Sequence, residues 1–168
     1  VGSGIEFELA WKDKIAALNP EMLVVNCSLG IDLITTGTGS HIRTDPHVWL
    51  SPRNAKIMVE NICQGLMNVD PANADEYRRN ADAYQGDLDL LDGEITTALA
   101  ESGVKKIMVY HSSWAYFTRD YGLEEVPIES EGKEPSPRRI ENLIRQAREE
   151  HIRMIFAAPE YSTRSAEV

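Results

Sequence analysis

The sequence predicts an α/β fold, in which a mostly parallel sheet is flanked by helices and accompanied by one long linking helix. Four short apolar runs beside turn residues have the length and composition of strands: Met22–Asn26, Lys106–Tyr110, Glu125–Ile128 and Met154–Ala157. Segments with helical periodicity follow the last three of these runs, directly or after a loop: Ser113–Tyr121, Pro137–Glu150 and Ser162 onward. Strands that alternate with helices in this way are typical of a parallel sheet.

The remaining helices are predicted from their start signals. An amphipathic segment, Ile5–Leu18, precedes the first predicted strand. Ser-Pro pairs at 51–52 and 136–137 predict helix starts, because serine accepts from N–H groups of the first turn and proline has no N–H to leave unpaired there. An Asp-Pro pair opens a longer helix, Pro71–Ser102, which would extend about 45–50 Å. A helix of this length lies across a domain or joins two lobes.

Composition excludes several classes of function. The chain has 168 residues, of which 42% are hydrophobic, so it is long enough for one core and short for two domains. Acidic residues outnumber basic ones by 27 to 17, giving a net charge of −10. We therefore expect no nucleic-acid partner, since phosphate contacts need clustered Lys and Arg, whereas cations remain open as partners. The apolar runs are far shorter than the roughly 20 residues of a membrane span, so no membrane insertion is expected.

The two cysteines give no metal or redox motif. Cys27 and Cys63 are 36 residues apart and lack CxxC spacing, so neither a zinc ribbon nor a thioredoxin motif is supported. Two unrelated buried thiols are the favoured interpretation, and one disulfide is the alternative.

Two of the four histidines are held by rigid elements. His47 lies in the extended segment Asp45–Pro52 (DPHVWLSP), between a proline and a capped helix. His111 directly follows the predicted strand 106–110, and so lies at the carboxyl end of a parallel strand, where α/β sheets bind ligands. A rigidly held imidazole suits a metal or catalytic site. For each of them a purely structural role remains the alternative.

The other polar candidates have weaker support. His41 lies in the flexible-looking loop Thr35–Thr44. Its two possible roles are an auxiliary metal contact and a solvated loop residue. His151 lies at the end of a predicted helix, where a cation is favourable, which favours a structural role. Three glutamates of a charged loop can offer carboxylates to a cation or be merely solvated: Glu129, Glu131 and Glu134. The sequence has no GxSxG elbow, which argues against serine hydrolysis.

Four longer motifs occur in a defined order. They are Asp45–Pro52 (DPHVWLSP), Asp70–Tyr77 (DPANADEY), His111–Leu123 (HSSWAYFTRDYGL) and Ile155–Glu167 (IFAAPEYSTRSAE), and Gly2–Leu18 precedes them. Together they resemble the metal-binding solute-binding proteins of ABC importers for zinc and manganese, the cluster A-I type. The resemblance covers almost the whole chain, and DPHVWLSP is its most specific part.

The resemblance implies two α/β lobes joined by a long rigid helix, with the metal between the lobes. The family supplies ligands from four positions, and here His47 matches the second and His111 the third. The first would precede Val1 and the fourth would follow Val168, so a fragment that lacks both ends is expected.

The same resemblance gives expected domain boundaries. Residues 1–69 would form the end of the N-terminal lobe, residues 70–102 the linking helix, and residues 103–168 an incomplete C-terminal lobe.

The implied ligand is zinc (Zn²⁺), with manganese (Mn²⁺) as the alternative. Imidazole suits zinc and is acceptable to manganese, and a histidine rather than a glutamate at His111 favours zinc. A ligating histidine is normally oriented by an acceptor on its other ring nitrogen. Asp45 is the nearby candidate for this role at His47, and equally a candidate turn residue. The expected function is capture and delivery of the ion, not catalysis.

The resemblance also implies a location and a partner. The ion would be bound outside the cytoplasm, in the periplasm or on a lipid-anchored protein at the outer face of the cytoplasmic membrane, and passed to the permease of an ABC importer. A lobe separated from its partner exposes apolar surface, and the predicted strand 22–26 would offer an open edge. Self-association of the fragment is therefore expected.

Two other functions stay open at this point. A mononuclear zinc-dependent hydrolase would use His47, His111 and a carboxylate around a metal-bound water, although the sequence contains no HExxH motif. A metal-free interaction or adhesion module of the same fold is the second alternative. Metal titration and assays with generic esters distinguish these functions.

Overall fold

The computed structural model describes residues 6–36, 43–129 and 133–157. The α-helices in these ranges are α1 (Glu6–Leu18), α2 (Pro52–Val69), α3 (Ala74–Ser102), α4 (Ala115–Tyr121) and α5 (Pro137–Glu149). The strands are β1 (Thr35–Thr36), β2 (Arg43–Thr44), β3 (Lys106–Val109), β4 (Glu124–Pro127) and β5 (Ile155–Phe156). The predicted α/β class, with a small parallel sheet and one long helix, is confirmed.

The chain divides into two compact units, Val1–Thr97 and Ala98–Val168. The first unit contains α1, β1, β2, α2 and most of α3, and the second contains the parallel sheet with α4 and α5. The boundaries expected from the resemblance, after residues 69 and 102, stay a prediction.

Both proline-marked helices of the first unit form where the sequence predicts them. The hydroxyl of Ser51 accepts from the N–H of Asn54 at 3.2 Å, and Pro52 takes the first position of α2. The Asp-Pro pair opens a short 3-10 turn, Pro71–Asn73, which leads directly into the 29 residues of α3. The long helix is therefore confirmed, with its first turn wound more tightly than an α-helix.

Ion pairs hold α2 against α3 in an antiparallel register. Arg53 Nε lies 2.9 Å from Asp92 Oδ1, and one turn further along α2 Lys56 pairs with Asp89. Glu60 follows after another turn and accepts from both terminal nitrogens of Arg78, at 2.7 and 2.9 Å. Moving along α2 therefore corresponds to moving backwards along α3, by three residues between the first two pairs and by eleven between the second pair and the third.

The Glu60–Arg78 pair predicts a specific pH dependence of stability. Hydrogen bonds from Arg78, and then from Gln64, lower the pKa of Glu60 from 4.5 to about 2. A lowered pKa stabilises the folded state above pH 4.5, and this stabilisation is lost as the pH falls towards 2. Glu60→Gln is expected to cost about 0.5–1 kcal/mol at pH 7, a small effect because the side chain is 42% exposed.

The measurement is urea unfolding of both proteins between pH 7 and pH 2.5. The difference between them should shrink below pH 4.5. Glu94→Gln, an exposed position on α3, serves as the control. A difference that stays constant down to pH 2.5 would contradict the assigned pKa.

The predicted first strand, Met22–Asn26, is wrong. Residues 22–25 form no strand, and the chain turns at Asn26, whose side-chain oxygen accepts from the N–H and the hydroxyl of Ser28. Val25 instead packs against α2 at Gly65. A short apolar run therefore serves here as packing surface against a helix, which periodicity alone does not distinguish from a strand.

Gly65→Ala is expected to destabilise the first unit by about 1–3 kcal/mol. A Cβ at this position would lie 2.4 Å from Val25 Cγ2, and a valine side chain has little rotamer freedom with which to move away. Gly86→Ala is the matched control, because a Cβ on that glycine of α3 meets nothing within 4 Å. The control should gain about 0.5–1 kcal/mol from helix propensity. Equal unfolding free energies for the two variants would refute the close packing.

The segment predicted as the flexible loop Thr35–Thr44 has paired ends. Thr35 lies opposite Thr44 and Thr36 opposite Arg43, in a two-stranded antiparallel ribbon. His41 lies outside the described residues.

In the second unit, three parallel strands are ordered β4-β3-β5. Side chains on one face of this sheet form a buried cluster with α5: Met108, Tyr110, Val126, Ile128 and Leu143. Because side chains alternate along a strand, Glu125 and His111 belong to the opposite face. The strands predicted at 106–110, 125–128 and 154–157 are thus confirmed within one or two residues.

The helices of the second unit also follow the prediction. α4 ends at Gly122, whose φ of 66° is the left-handed conformation that glycine adopts readily at a helix end. Ser136 caps α5 by accepting from the N–H of Arg139 at 3.3 Å. The helix predicted from Ser162 lies outside the described residues.

The cysteines are two buried thiols, Cys27 and Cys63, as favoured from the sequence. Within the described residues, no helix has the length and apolar character needed to cross a bilayer.

Candidate metal centre

The segment that carries His47 is fixed before and after the histidine. The N–H of Asp45 donates to the carbonyl of Ile34 at 2.8 Å. On the other side, the amide of Asn54 donates to the carbonyl of Val48 at 3.1 Å, and both residues are buried. Buried polar groups of this kind are costly to leave unpaired, so they hold the segment in one conformation.

Asp45 contacts His47 twice. Its Oδ1 accepts from the His47 backbone N–H at 2.9 Å and lies 2.8 Å from Nδ1 of the imidazole. The two roles considered from the sequence, turn residue and orienting acceptor, are thus both present in one carboxylate. Since a carboxylate only accepts, Nδ1 carries the proton of the neutral ring and Nε2 carries the lone pair. Trp49 adds an edge contact to the ring at 5.5 Å between centroids.

His111 has the same kind of partner. The carboxylate of Glu129 accepts from its Nδ1, and Glu129 is only 8% exposed. The main chain places them side by side, because the N–H of Glu129 donates to the carbonyl of Tyr110 at 3.1 Å. This bond extends the β3–β4 pairing beyond the strand ends. The neutral His111 ring is therefore also protonated on Nδ1, with its lone pair on Nε2.

Tyr110, the residue before His111, has a buried titratable hydroxyl. Burial raises the pKa of its hydroxyl, and the nearby charges of Glu134 and Glu129 raise it further. The phenol stays protonated at neutral pH, so it contributes no charged oxygen to a metal.

Each candidate histidine therefore has a carboxylate partner, but the part of the chain that the structure describes does not bring together a complete set of metal ligands. His47 lies in the first unit and His111 in the second. Over residues 6–36, 43–129 and 133–157, no three His, Cys, Asp or Glu side chains come together in a group that could hold a metal ion. His151 lies at the end of α5 with φ of 55°.

Glu129 and Asn54 make contacts that the sequence does not predict. From the sequence, Glu129 is either a carboxylate for a cation or, as favoured, a solvated loop residue, yet it lies one residue beyond Ile128, the last residue of a predicted strand next to the strand of His111. That adjacency was the available signal, because carboxyl ends of neighbouring parallel strands lie together. Asn54 gave no such signal, since its position in the first turn of a helix is ordinary for a surface residue.

Comparison with known proteins decides the family. A family model described as "ZnuA: Zinc-uptake complex component A periplasmic" matches residues 1–168. The chain belongs to this family. The resemblance to metal-binding solute-binding proteins seen in the sequence motifs is thereby confirmed.

Individual family members match with moderate identity. The high-affinity zinc uptake system protein ZnuA of Bacillus subtilis is 32% identical over 145 residues, covering 79% of this chain and 46% of that protein. The iron-binding protein YfeA of Yersinia pestis is 33% identical over 127 residues, covering 73% of this chain and 40% of that protein. A crystal structure of ZnuA matches with a TM-score of 0.86 and 36% identity, covering 98% of this chain and 65% of that chain. The chain thus spans about half the length of these relatives, or somewhat more in the solved structure.

Proposed function

We propose that this chain is part of a protein that binds a divalent metal ion outside the cytoplasm for delivery to an ABC importer. The observation that carries the proposal is the carboxylate contact made by Nδ1 of both His47 and His111. A carboxylate on the second nitrogen orients a ligating imidazole and increases its basicity, and this arrangement recurs at protein zinc sites.

The proposed ligand atoms are Nε2 of His47 and Nε2 of His111. Zinc in a protein usually takes four ligands, so two imidazoles make half of a site. Water or other parts of the protein would supply the rest. His41 keeps its proposed role as an auxiliary contact, and Asp45 and Glu129 are proposed as the orienting acceptors.

Zinc is the proposed cargo, with manganese as the alternative. Two imidazoles suit zinc better than manganese, which prefers carboxylate, carbonyl and water oxygens. The Bacillus subtilis relative is named for zinc uptake, whereas the Yersinia pestis relative is named for iron binding. Metal identity is therefore part of what the experiment must establish.

The proposed role is capture and hand-over without a chemical reaction, with the permease of an ABC importer as partner. The relatives named above are binding and uptake proteins, which favours this role over a zinc-dependent hydrolase. The proposed location is the periplasm or the outer face of the cytoplasmic membrane, in line with the family description.

Self-association of this chain is a further part of the proposal. Large apolar side chains stand exposed on both units, among them Leu18 at 87% and Leu90 at 68% exposure on the first and Met154 at 54% on the second. Exposed apolar patches favour contact between copies.

Isothermal titration of zinc and of manganese into the metal-free 168-residue chain tests the function. We expect one zinc per chain, bound more tightly than manganese, and no hydrolysis of a generic ester by the zinc-loaded chain. Absence of zinc binding would favour the metal-free interaction module. Zinc-dependent turnover of the ester would favour the hydrolase.

A further inference from the structure

We propose that Glu125 is a positioning residue for His111, which it fixes through the main chain that follows the histidine. The inference rests on the proposed role of His111 as a metal ligand and adds to it a residue with no contact to the imidazole.

Glu125 binds the backbone just after His111. Its Oε1 accepts from the N–H of Ser113 at 3.1 Å and from the N–H of Trp114 at 3.4 Å. Trp114 is the residue before α4, and its side chain supplies no cap to that helix. A carboxylate on the neighbouring strand therefore binds the two N–H groups that directly precede α4. Hydrogen bonds to a charged acceptor are stronger than those between neutral groups.

The main chain of His111 is consequently held on both sides. Before it, the N–H of Tyr110 donates to the carbonyl of Phe156 at 2.8 Å, which ties the chain to β5. After it, the Ser113 hydroxyl donates to the His111 carbonyl at 3.4 Å, and Glu125 holds the Ser113 N–H. Without Glu125, Ser113 and Trp114 would lose these two hydrogen bonds to β4.

Two glutamates of the same strand region thus act on one histidine. Val126 and Ile128 point into the cluster against α5, so the alternation of a strand places Glu125 and Glu129 on the opposite face. Glu129 contacts the imidazole, whereas Glu125 contacts the backbone two and three residues further on. Glu125 of β4 therefore holds the main chain after His111, and Glu129, two residues beyond β4, holds its ring. A preorganised ligand requires that both the ring and the main chain be held in this way.

The test compares Glu125→Ala and Glu125→Gln with Glu124→Ala in the full chain. Glu124 is the adjacent glutamate of β4; it is 60% exposed and pairs with Lys106. Its replacement by alanine therefore removes one negative charge, as Glu125→Ala does, but leaves the hydrogen bonds of residues 111–114 in place. The first readout is the ¹⁵N NMR spectrum of the imidazoles in the metal-free chain. The second is zinc affinity by titration.

In the metal-free chain, Glu125→Ala is expected to shift and broaden the His111 ring signals while those of His47 stay unchanged. Glu125→Gln should restore the His111 signals, because its amide oxygen still accepts from both N–H groups. Glu124→Ala should leave them as they are. Zinc affinity should fall about threefold to tenfold in Glu125→Ala alone, at or below the usual cost of losing an orienting contact.

An unchanged His111 spectrum in folded Glu125→Ala would overturn the inference, as would equal changes in Glu124→Ala. Because the spectra are recorded without metal, they decide the role of Glu125 even when the chain binds no zinc. Failure of the zinc titration with a perturbed His111 spectrum would refute the proposed function and leave the positioning role standing.

Discussion

Replacing His47 or His111 by alanine is expected to weaken zinc binding by at least about 100-fold for each variant. Loss of an orienting partner usually costs about 10- to 100-fold in metal affinity, so loss of a ligand itself should cost the upper value or more. Each substitution would also leave a carboxylate, Asp45 or the largely buried Glu129, without its imidazole. Competition titration with a chromophoric zinc chelator measures the affinities.

His151→Asn is the matched control for these variants. It removes an imidazole from the same chain, and asparagine tolerates the positive φ of 55° at this position better than alanine would. Its zinc affinity should equal that of the unmodified chain. A similar loss in His151→Asn, or an unchanged affinity in both alanine variants, would place the zinc elsewhere.

Glu129→Ala is expected to weaken zinc binding by about 10- to 100-fold with His111 intact. The carboxylate that accepts from Nδ1 would be gone, so the ring would lose both its fixed orientation and the nearby negative charge that favours a bound cation. The neutral ring would also be free to carry its proton on Nε2, the nitrogen proposed for the metal. The same competition titration gives the effect.

Glu129→Gln separates orientation from charge. The amide oxygen can accept from Nδ1 as the carboxylate does, so this variant should lie between the unmodified chain and Glu129→Ala. Glu134→Gln removes a neighbouring exposed carboxylate and should change zinc affinity little. If Glu134→Gln weakened binding as much as Glu129→Ala, the effect would be general electrostatics and not orientation of His111.

Much of the fold followed from local chemistry. Proline with a preceding serine marks the starts of α2 and α5, and the Asp-Pro pair at 70–71 marks where the long helix begins. These signals act within a few residues of chain, so the sequence contains all that they need. The run 22–25 has no such signal, because the packing of Val25 depends on the absence of a Cβ at Gly65, 40 residues further along the chain.

The two histidines of the proposed site stand out in the sequence, whereas their carboxylate partners stand out less. His47 is singled out by the rigidity of its segment, and Asp45 by lying two residues away. Glu129 is separated from His111 by 18 residues, and its burial depends on how β4 pairs with β3. In the sequence, a glutamate in a solvated loop gives the same pattern as a glutamate at the end of a strand. Only the register between β3 and β4 distinguishes the two.

The register between α2 and α3 limits how the two helices can vary in length. Arg53 pairs with Asp92 and Lys56 with Asp89, so deleting one residue inside α2 after Lys56 would turn the two basic residues by about 100° and remove both pairs. A matched insertion of seven residues in α2 after Lys56 and in α3 before Asp89 changes the facing of each helix by only about 20° and keeps the pairs level. Homologous sequences should therefore change length in both helices together and in steps of seven, and single-residue insertions within either helix should be rare.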